Sequence, residues 1–566
     1  LNLSPRSLFT LVRRQFLQVV ATAVLFATAT VSAASAQPVT PPADAKAQVD
    51  KIFARFNKPD SPGCAVGVGI GPTTVLTAAY GMADLEHNVP ITPTSVFEVG
   101  SLTKQFTAAA VLLLAQQGKL SLDDPVRRYI PELPDYGQPL TIRHLIHHTS
   151  GLRDWLEVVG VAGWPVGTRL YTQAFVLDIA SRQRALNYPP GAAYSYTNTG
   201  YTLLAILAER VSGKSLPQFT REEIFTPLGM TSTQWRDNFQ RIVSNRTIAY
   251  TYNSGQKTFE TLMPFSNVYG QGGILTTIDD LLKWNQNFTS AKVGGPAFLT
   301  AQLQQEKLND GTPIAYAAGL DLFHWKGLPE VSHSGSNAGY RGWLARYPDQ
   351  GLSIALLCNT DALNVAELGH EVADVYLASA IRSKPVPPET AADPAQLKAM
   401  TGMYRDIADV EAISVEWKDG HLQLDGRRIL HPTSNGAFTA GDTGTVVRFE
   451  AGNNGAIARL KISSEVGQTY TYERVEPSHP AAADLQQMAG TYVSDEANVT
   501  YKAAFENGSL VLHRRPDATV SLTPTYRDAF RSSLGSVRFI RDSSGHVVEM
   551  SFATGRMWDL RLRRTD

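Results

Sequence analysis

Cysteine is scarce: Cys64 and Cys358 are the only two in 566 residues. That excludes a disulfide scaffold and a cysteine-rich metal module. A charge excess is missing as well, since 51 Lys and Arg face 52 Asp and Glu, for a formal charge of −1. This balance gives no electrostatic drive toward nucleic acid, and there is no basic stripe with interleaved aromatics. Beyond the N-terminal region no apolar run reaches the roughly 18 residues of a membrane-spanning helix. The chain also lacks His-Glu-x-x-His, Gly-x-Ser-x-Gly, and the Lys-Ser/Thr of a phosphate loop after Gly270–Gly273. A zinc protease, an α/β-hydrolase and a nucleotide hydrolase are disfavoured accordingly. What is present is 43% hydrophobic and 18% charged residues, the composition of a globular multidomain protein with large cores.

Residues 1–36 hold Arg6, Arg13 and Arg14, no acidic residue, an apolar stretch from Val19 to about Ala29, and the small residues Ala34-Ser35-Ala36. This is the layout of an export signal, and Arg13-Arg14-Gln15-Phe16-Leu17 is similar to a twin-arginine signal. An uncleaved anchor is the other reading of the stretch. Cleavage before Gln37 predicts a periplasmic or secreted chain with no membrane association and with 48 basic against 52 acidic residues.

Strand-like runs follow at Cys64–Ile70 and Thr74–Tyr80, then helical patterns to about Phe288, then strand-like runs at Gly342–Tyr347 and Leu352–Leu357. A last helical pattern carries Val372, Val375, Tyr376 and Ala380. Strands at both ends with helices between predict one α/β domain, residues 37–384, whose sheet is closed by its two ends. Pro385-Val386-Pro387-Pro388 marks a linker. Beyond it, short β runs alternate with Asp-Gly, Asn-Gly and Ser-Gly turns. Leu397, Met400, Gly402 and Tyr404 recur as Leu485, Met488, Gly490 and Tyr492, and Gly420, Leu422 and Leu424 recur at the same offset as Gly508, Leu510 and Leu512. The shared offset predicts two copies of a small antiparallel β-barrel, at 385–477 and 478–566. A single sandwich is the alternative.

Three motifs could carry chemistry. Ser101-Leu102-Thr103-Lys104 precedes the apolar run Phe106–Leu114, so Ser101 and Lys104 share one face at a helix start. The helix dipole there favours an alkoxide, and a partly buried lysine of lowered pKa can take the serine proton. Ser101 would otherwise be an ordinary N-cap. Ser254-Gly255-Gln256-Lys257 has the same spacing but no apolar helix behind it. Tyr196-Thr197-Asn198 is the one Tyr-x-Asn of the chain and precedes an apolar helix from Tyr201. The tyrosine can serve as acid or base and the amide can bind a carbonyl; simple aromatic packing with Tyr194 and Tyr201 is the alternative. His333-Ser334-Gly335-Ser336 lies just ahead of the late strand pair. On an edge strand its Gly335 would let substrate backbone approach, and the amides of Ser101 and Ser336 could form an oxyanion hole. A surface histidine is the plain reading of His333.

In this order the three motifs resemble those of the penicillin-recognising serine hydrolases related to class C β-lactamases, DD-peptidases, D-aminopeptidases and esterases. Gly81-Met82-Ala83-Asp84, Leu145–Leu152 and Gly272-Gly273 are similar to further landmarks of that family, over about residues 45–380. The resemblance implies an antiparallel sheet flanked by helices, followed by lipocalin-like barrels as in D-aminopeptidases. It implies a Ser101 acyl-enzyme, with Lys104 and Tyr196 relaying the proton, the base undecided between them, and water activated through Tyr196. Asn198, His333, Gly335 and Ser336 would bind substrate. No cofactor or metal is implied, His147-His148 reads as structural, and the partner is a small-molecule or peptide substrate. Related β-lactamases usually carry Lys at the place of His333, and histidine is mostly neutral at pH 7. Amide, D-amino-acid peptide or ester substrates are therefore expected. β-Lactamase or DD-carboxypeptidase action is the alternative, and a sensor that stays acylated is one of another class. By family topology Cys64 and Cys358 lie on neighbouring strands, where a disulfide and two buried free thiols are both compatible with the residues.

Overall fold

The computed structural model describes residues 38–164, 167–381, 393–440, 445–453, 455–464 and 469–566. The expected signal at 1–36 and the Pro385–Pro388 linker lie outside the described residues. The principal elements of the first domain are α1 (Ala45–Phe53), β1 (Cys64–Ile70), β2 (Thr73–Tyr80), α2 (Lys104–Gln116), α3 (Trp155–Val161), α4 (Asn198–Ser212), α5 (Ile278–Ser290), β3 (Asp321–Trp325), β4 (Leu328–Asn337), β5 (Tyr340–Tyr347), β6 (Leu352–Cys358) and α6 (Val365–Leu377). No helix among the described residues is long and apolar enough to cross a membrane.

The six strands form one sheet in the order β3-β4-β5-β6-β1-β2, with every pair antiparallel. The early and late strand runs thus meet, as the sequence predicts. Period-two alternation sends Cys64, Val66 and Val68 to one face, where they pack with Val49 and Phe53 of α1 and Val372 of α6. Ala65 faces the other way, onto Leu281 and Leu282 of α5. Both faces are covered, which is why β1 reads as an uninterrupted apolar run. Cys64 and Cys358 are register partners in the β1–β6 ladder and are joined by a disulfide. The register decides between the two readings of these cysteines.

Helix α2 is buried on every side from Lys104 to Leu114, as befits a helix at the centre of a domain. It packs on α4, whose residues from Asn198 to Ala208 are likewise buried. The segment leading into α2 is tied to its surroundings by charge. Glu98, fully buried on the short strand Phe97–Glu98, accepts hydrogen bonds from Arg236 (2.8 and 3.1 Å) and from Asn337 at the end of β4.

The repeat resolves into two barrels. Eight strands between Gly402 and Val475 close on themselves, and nine between Gly490 and Arg564 form a nearly closed sheet. The duplicated residues have duplicated jobs. The Tyr404 hydroxyl donates to the Met400 carbonyl at 2.7 Å, and the Tyr492 hydroxyl donates to that of Met488 at 2.8 Å. Gly420 and Gly508 sit at φ 82° and 81°, the left-handed conformation that such hairpin turns require. The second barrel does not stand apart. Its core residues Tyr501, Leu512, Phe552 and Leu562 form one apolar cluster with Trp155, Val158, Val161 and Tyr171 of the first domain. Tyr501, Arg514 and Arg515 donate to the carbonyls of Val161, Gly160 and Ala162 at the end of α3. The first barrel leans on the second, through Tyr526 to the Val410 carbonyl and Arg531 to that of Ala412.

Replacing Glu98 by Ala leaves the buried Arg236 guanidinium without its carboxylate. We expect a loss of roughly 3–5 kcal/mol of stability, read as a lower urea midpoint. A loss under about 1 kcal/mol, typical of an exposed pair, would show that Glu98 does not anchor this segment.

Candidate active site

Ser101, the candidate nucleophile, sits on a tight turn. Gly100–Thr103 form a single 3₁₀ turn, and the α-helix proper begins only at Lys104. Ser101 is therefore not an N-cap, and no side-chain cap bond is made at this helix start. A 3₁₀ turn eclipses residues three apart, which brings Lys104 Nζ to 3.1 Å from Ser101 Oγ. Nζ also donates to Asn198 Oδ1 at 2.9 Å and to the Gln271 carbonyl at 2.8 Å. Ser254 and Lys257, the competing Ser-x-x-Lys, flank an exposed hairpin turn.

Lys104 is wholly buried. Desolvation holds its pKa well below the ordinary lysine value, countered by Asp154, reinforced by the positive charge of Arg556, and countered again by Asp321. Once the amine is neutral its lone pair can turn to Ser101, and the hydroxyl becomes the donor of the 3.1 Å contact. Nζ lies 4.7 Å from the ring centroid of Tyr196. The Tyr196 hydroxyl is buried without a hydrogen-bond partner among the described residues. Burial raises its pKa; nearby Ser101 draws it back, without reaching hydrogen-bond geometry. His148 packs against the same ring at 4.2 Å and accepts from the Thr197 amide at 3.1 Å. Burial holds this histidine neutral, consistent with a structural role.

Asn198 is the first residue of α4, and both its amide nitrogens are held by Asp154. The backbone N donates to Asp154 Oδ2 at 2.7 Å and Nδ2 donates to the same oxygen at 3.0 Å. This leaves Oδ1 for Lys104. His333 is buried, with Nε2 3.1 Å from the Tyr316 hydroxyl and Nδ1 against the Ser334 carbonyl. Burial, with Lys104 nearby, drops its pKa to about 3. It is thus a neutral ring with both nitrogens engaged.

The position of Gly335 corrects the sequence reading. Strand β3 pairs with β4 only as far as Ser332, so the end of β4 that carries Gly335 is an open edge among the described residues, but the glycine serves another purpose. A Cβ on Gly335 would stand 1.9 Å from the Val99 carbonyl oxygen, so the glycine makes room for the protein's own backbone rather than for substrate. A Cβ on Gly100, at φ 51°, would likewise meet the Ser336 amide nitrogen at 2.5 Å. The two glycines let the main chains of the Ser101 turn and β4 touch, and the amides of Ser101 and Ser336 lie at that contact. The expected oxyanion-hole pair is brought together.

All seven residues singled out in the sequence therefore converge. Three others escape sequence reasoning. Asp154 looks like the N-cap of α3 and is one, accepting from the Leu156 amide at 2.9 Å; nothing marks its second task on Asn198. Gln271 works through its carbonyl, which any residue has, although the flanking Gly270, Gly272 and Gly273 signal a special loop. Arg556 belongs to the second barrel, and its guanidinium carbon lies 4.9 Å over the Tyr196 ring.

Known proteins bear on this arrangement. The chain is 30% identical over 298 residues to penicillin-binding protein 4* of Bacillus subtilis (strain 168), covering 50% of this chain and 65% of that relative, a little under two thirds. It is 25% identical over 470 residues to a D-aminopeptidase of Gluconobacter oxydans (strain 621H), covering 81% of this chain and 84% of the relative. Among solved structures, the octameric penicillin-binding protein homologue from Pyrococcus abyssi superposes with a TM-score of 0.53 at 19% identity, over 84% of this chain and 99% of that one. The D-amino acid amidase from Ochrobactrum anthropi SV3, solved with L-phenylalanine amide, gives 0.51 at 22% identity, over 60% and 99%. At these identities the structures speak to the fold. Residues 49–377 match the Beta-lactamase family, and on that match the chain belongs to it.

Proposed function

We propose that this protein is an exported serine hydrolase that cleaves small amides, D-amino-acid peptides or esters through a Ser101 acyl-enzyme. The observation that carries the reading is the buried Lys104 amine held between Ser101 and Asn198. In acylation Ser101 Oγ attacks the substrate carbonyl and its proton passes to neutral Lys104. The carbonyl oxygen becomes an oxyanion facing the Ser101 and Ser336 amides. Of the two candidate bases, Lys104 has its pKa lowered and Tyr196 has it raised, which favours the amine as base and the phenol as proton donor to the leaving group. Water then attacks the ester, giving a proton to the phenolate that acylation left on Tyr196, while Lys104 returns its proton to Ser101. The D-aminopeptidase relatives support amide substrates, and a neutral His333 supports substrates that need no cation there. The Arg13-Arg14 signal and the Cys64–Cys358 disulfide support export to an oxidising compartment.

A fluorophosphonate probe tests the reading directly. Expressed with its own N-terminus, the chain is expected to give a labelled band in the periplasmic or secreted fraction, shortened by its signal and absent in Ser101→Ala. D-alanyl anilides and p-nitrophenyl esters should turn over with the same dependence on Ser101. Turnover that survives Ser101→Ala would overturn the hydrolase assignment, and a penicillin or ester adduct that persists without turnover would favour the sensor.

Lys104 must be neutral to act. kcat/KM for a neutral ester should therefore rise with pH along a limb centred below the ordinary lysine value of 10.5, because a lowered pKa makes the free base available at lower pH. Lys104→Arg, which stays charged, should lose at least about 10³-fold in kcat. Retained activity in that variant would exclude Lys104 as base.

Asp154→Ala releases both nitrogens of Asn198. We expect a fall of about 10²-fold in kcat/KM from the loosened site and about 1 kcal/mol in stability from the lost cap. Steady-state kinetics beside thermal unfolding separates the two effects. Unchanged kinetics would reduce Asp154 to a helix cap.

A further inference from the structure

The strands Val547–Thr554 and Met557–Arg564 of the second barrel are joined by a turn that reaches the catalytic cleft. Its backbone is pinned from below. The Arg556 carbonyl accepts from the Asp154 amide at 3.1 Å and from Asn187 Nδ2 at 3.2 Å. The Trp558 amide donates to Asn187 Oδ1 at 3.0 Å, and the Trp558 ring packs on Tyr188 at 4.8 Å. Arg153, which is 3% exposed, locks the same strand by donating to the Asp559 carbonyl at 2.7 Å and pairing with Glu496 at 2.9 Å.

The side chain is as free as the backbone is fixed. The half-buried Arg556 guanidinium lies 4.9 Å over the Tyr196 ring, and it has no hydrogen bond or ion pair among the described residues. Its planar fork of five donors matches a carboxylate. The neighbouring charges leave this cation to a ligand. Lys104 is committed to Ser101, Asn198 and Gln271; Asp154 is committed to Asn198; and His333 is a neutral ring. Glu157 is near enough to feel Arg556 but makes no ion pair with it.

We propose that Arg556 is a carboxylate-binding subsite delivered to the cleft by the second barrel, so that the preferred substrates are amides, peptides or esters carrying a free carboxylate near the scissile carbonyl. This rests on the Ser101 hydrolase reading and narrows it. The cation that a third-motif lysine would provide comes instead from another domain.

Two p-nitrophenyl esters of matched length test the proposal: mono-p-nitrophenyl glutarate, which is anionic, and p-nitrophenyl valerate, which is neutral. In the full mature chain kcat/KM should favour the anionic ester, and high salt should erode the preference. Arg556→Gln should cut the anionic-to-neutral ratio by about 10–100-fold, mainly through KM. Arg556→Lys should lie between the two. Arg527→Gln, which removes a cation of the same barrel that is 89% exposed, should leave the ratio unchanged. In a Ser101→Ala background the glutarate ester should bind more tightly than the valerate ester, and the further change Arg556→Gln should abolish the difference. Absence of an anionic preference, or equal loss toward both esters in Arg556→Gln, would overturn the subsite and leave Arg556 as a support for Tyr196. Failure of the hydrolase reading is distinguishable, because turnover would then be absent or survive Ser101→Ala while the binding comparison still reports on Arg556.

Discussion

Everything at the reacting centre depends on two main chains touching. The turn that carries Ser101 and the strand that carries Ser336 approach so closely that neither Gly100 nor Gly335 could hold a Cβ. Backbone contact of this kind is stiff, because no side chain lies between the two segments to change rotamer. It makes the position of Ser101 a property of the sheet. Strand β4 is held by β5, β5 by β6, and β6 by β1 through a seven-residue ladder and the Cys64–Cys358 bond. Glu98 fastens the other partner of the contact, since it grips Asn337 of β4 and Arg236 at once. The amides of Ser101 and Ser336 are thus held in place by backbone alone, which is the condition for preorganised donors in the proposed mechanism.

The second requirement is a dry lysine. A lysine amine is a useful base near neutral pH only when its ammonium form is poorly solvated. Lys104 lies at the start of a helix that is buried on every side, beneath Tyr196 and Tyr201, and desolvation lowers its pKa. Arg556 adds a second cation close by, and it arrives from a separate barrel. Hydrolase and barrel are therefore one electrostatic unit. They are also one packing unit, because Trp155 and Val158 of α3 share a cluster with the barrel core. Removing the barrel would expose that apolar face and destabilise α3, whose N-cap Asp154 holds Asn198. Point changes at the turn are the cleaner probe of what the barrel does.

Much of this was legible in the sequence, and what was not has a physical reason. The sheet could be read from its ends because β1 and β6 are apolar on both faces. The barrels could be read because hairpin turns need positive φ, and Asp419-Gly420 and Asn507-Gly508 supply it at matching places. Ser101, Lys104, Tyr196 and Asn198 were visible because their residue types and spacing mark them in the sequence. Gln271 was not, since its contribution is a carbonyl. Asp154 was hidden behind an ordinary cap, and Arg556 behind an ordinary turn, with a partner reached only through the fold. Gly335 was seen, but its reason was not: a glycine that admits substrate and one that admits Val99 look the same in sequence. The cysteines were undecidable until the register put them opposite each other.

Duplication of the barrel separates the bonds the fold needs from the residue that reaches the candidate site. The two copies repeat the tyrosine that caps a helix end, and they repeat the arginine that does so: Arg474 donates to the carbonyls of Ala399 and Thr401, and Arg564 to those of Gln487 and Ala489. These shared bonds serve the barrel itself and say nothing of substrate. A side chain at one hairpin tip does reach the candidate site. The last hairpin of the second barrel brings Arg556 over Tyr196. Burial raises the pKa values of Tyr188 and Tyr194, and Tyr470 of the first barrel adds to the rise in each. A closed barrel tolerates change at such tips because its hydrogen-bond ladder and core are complete without them. In the first domain two glycines fix the contact between the Ser101 turn and β4, whereas the turn that carries Arg556 lies outside the bonds that the two barrels share.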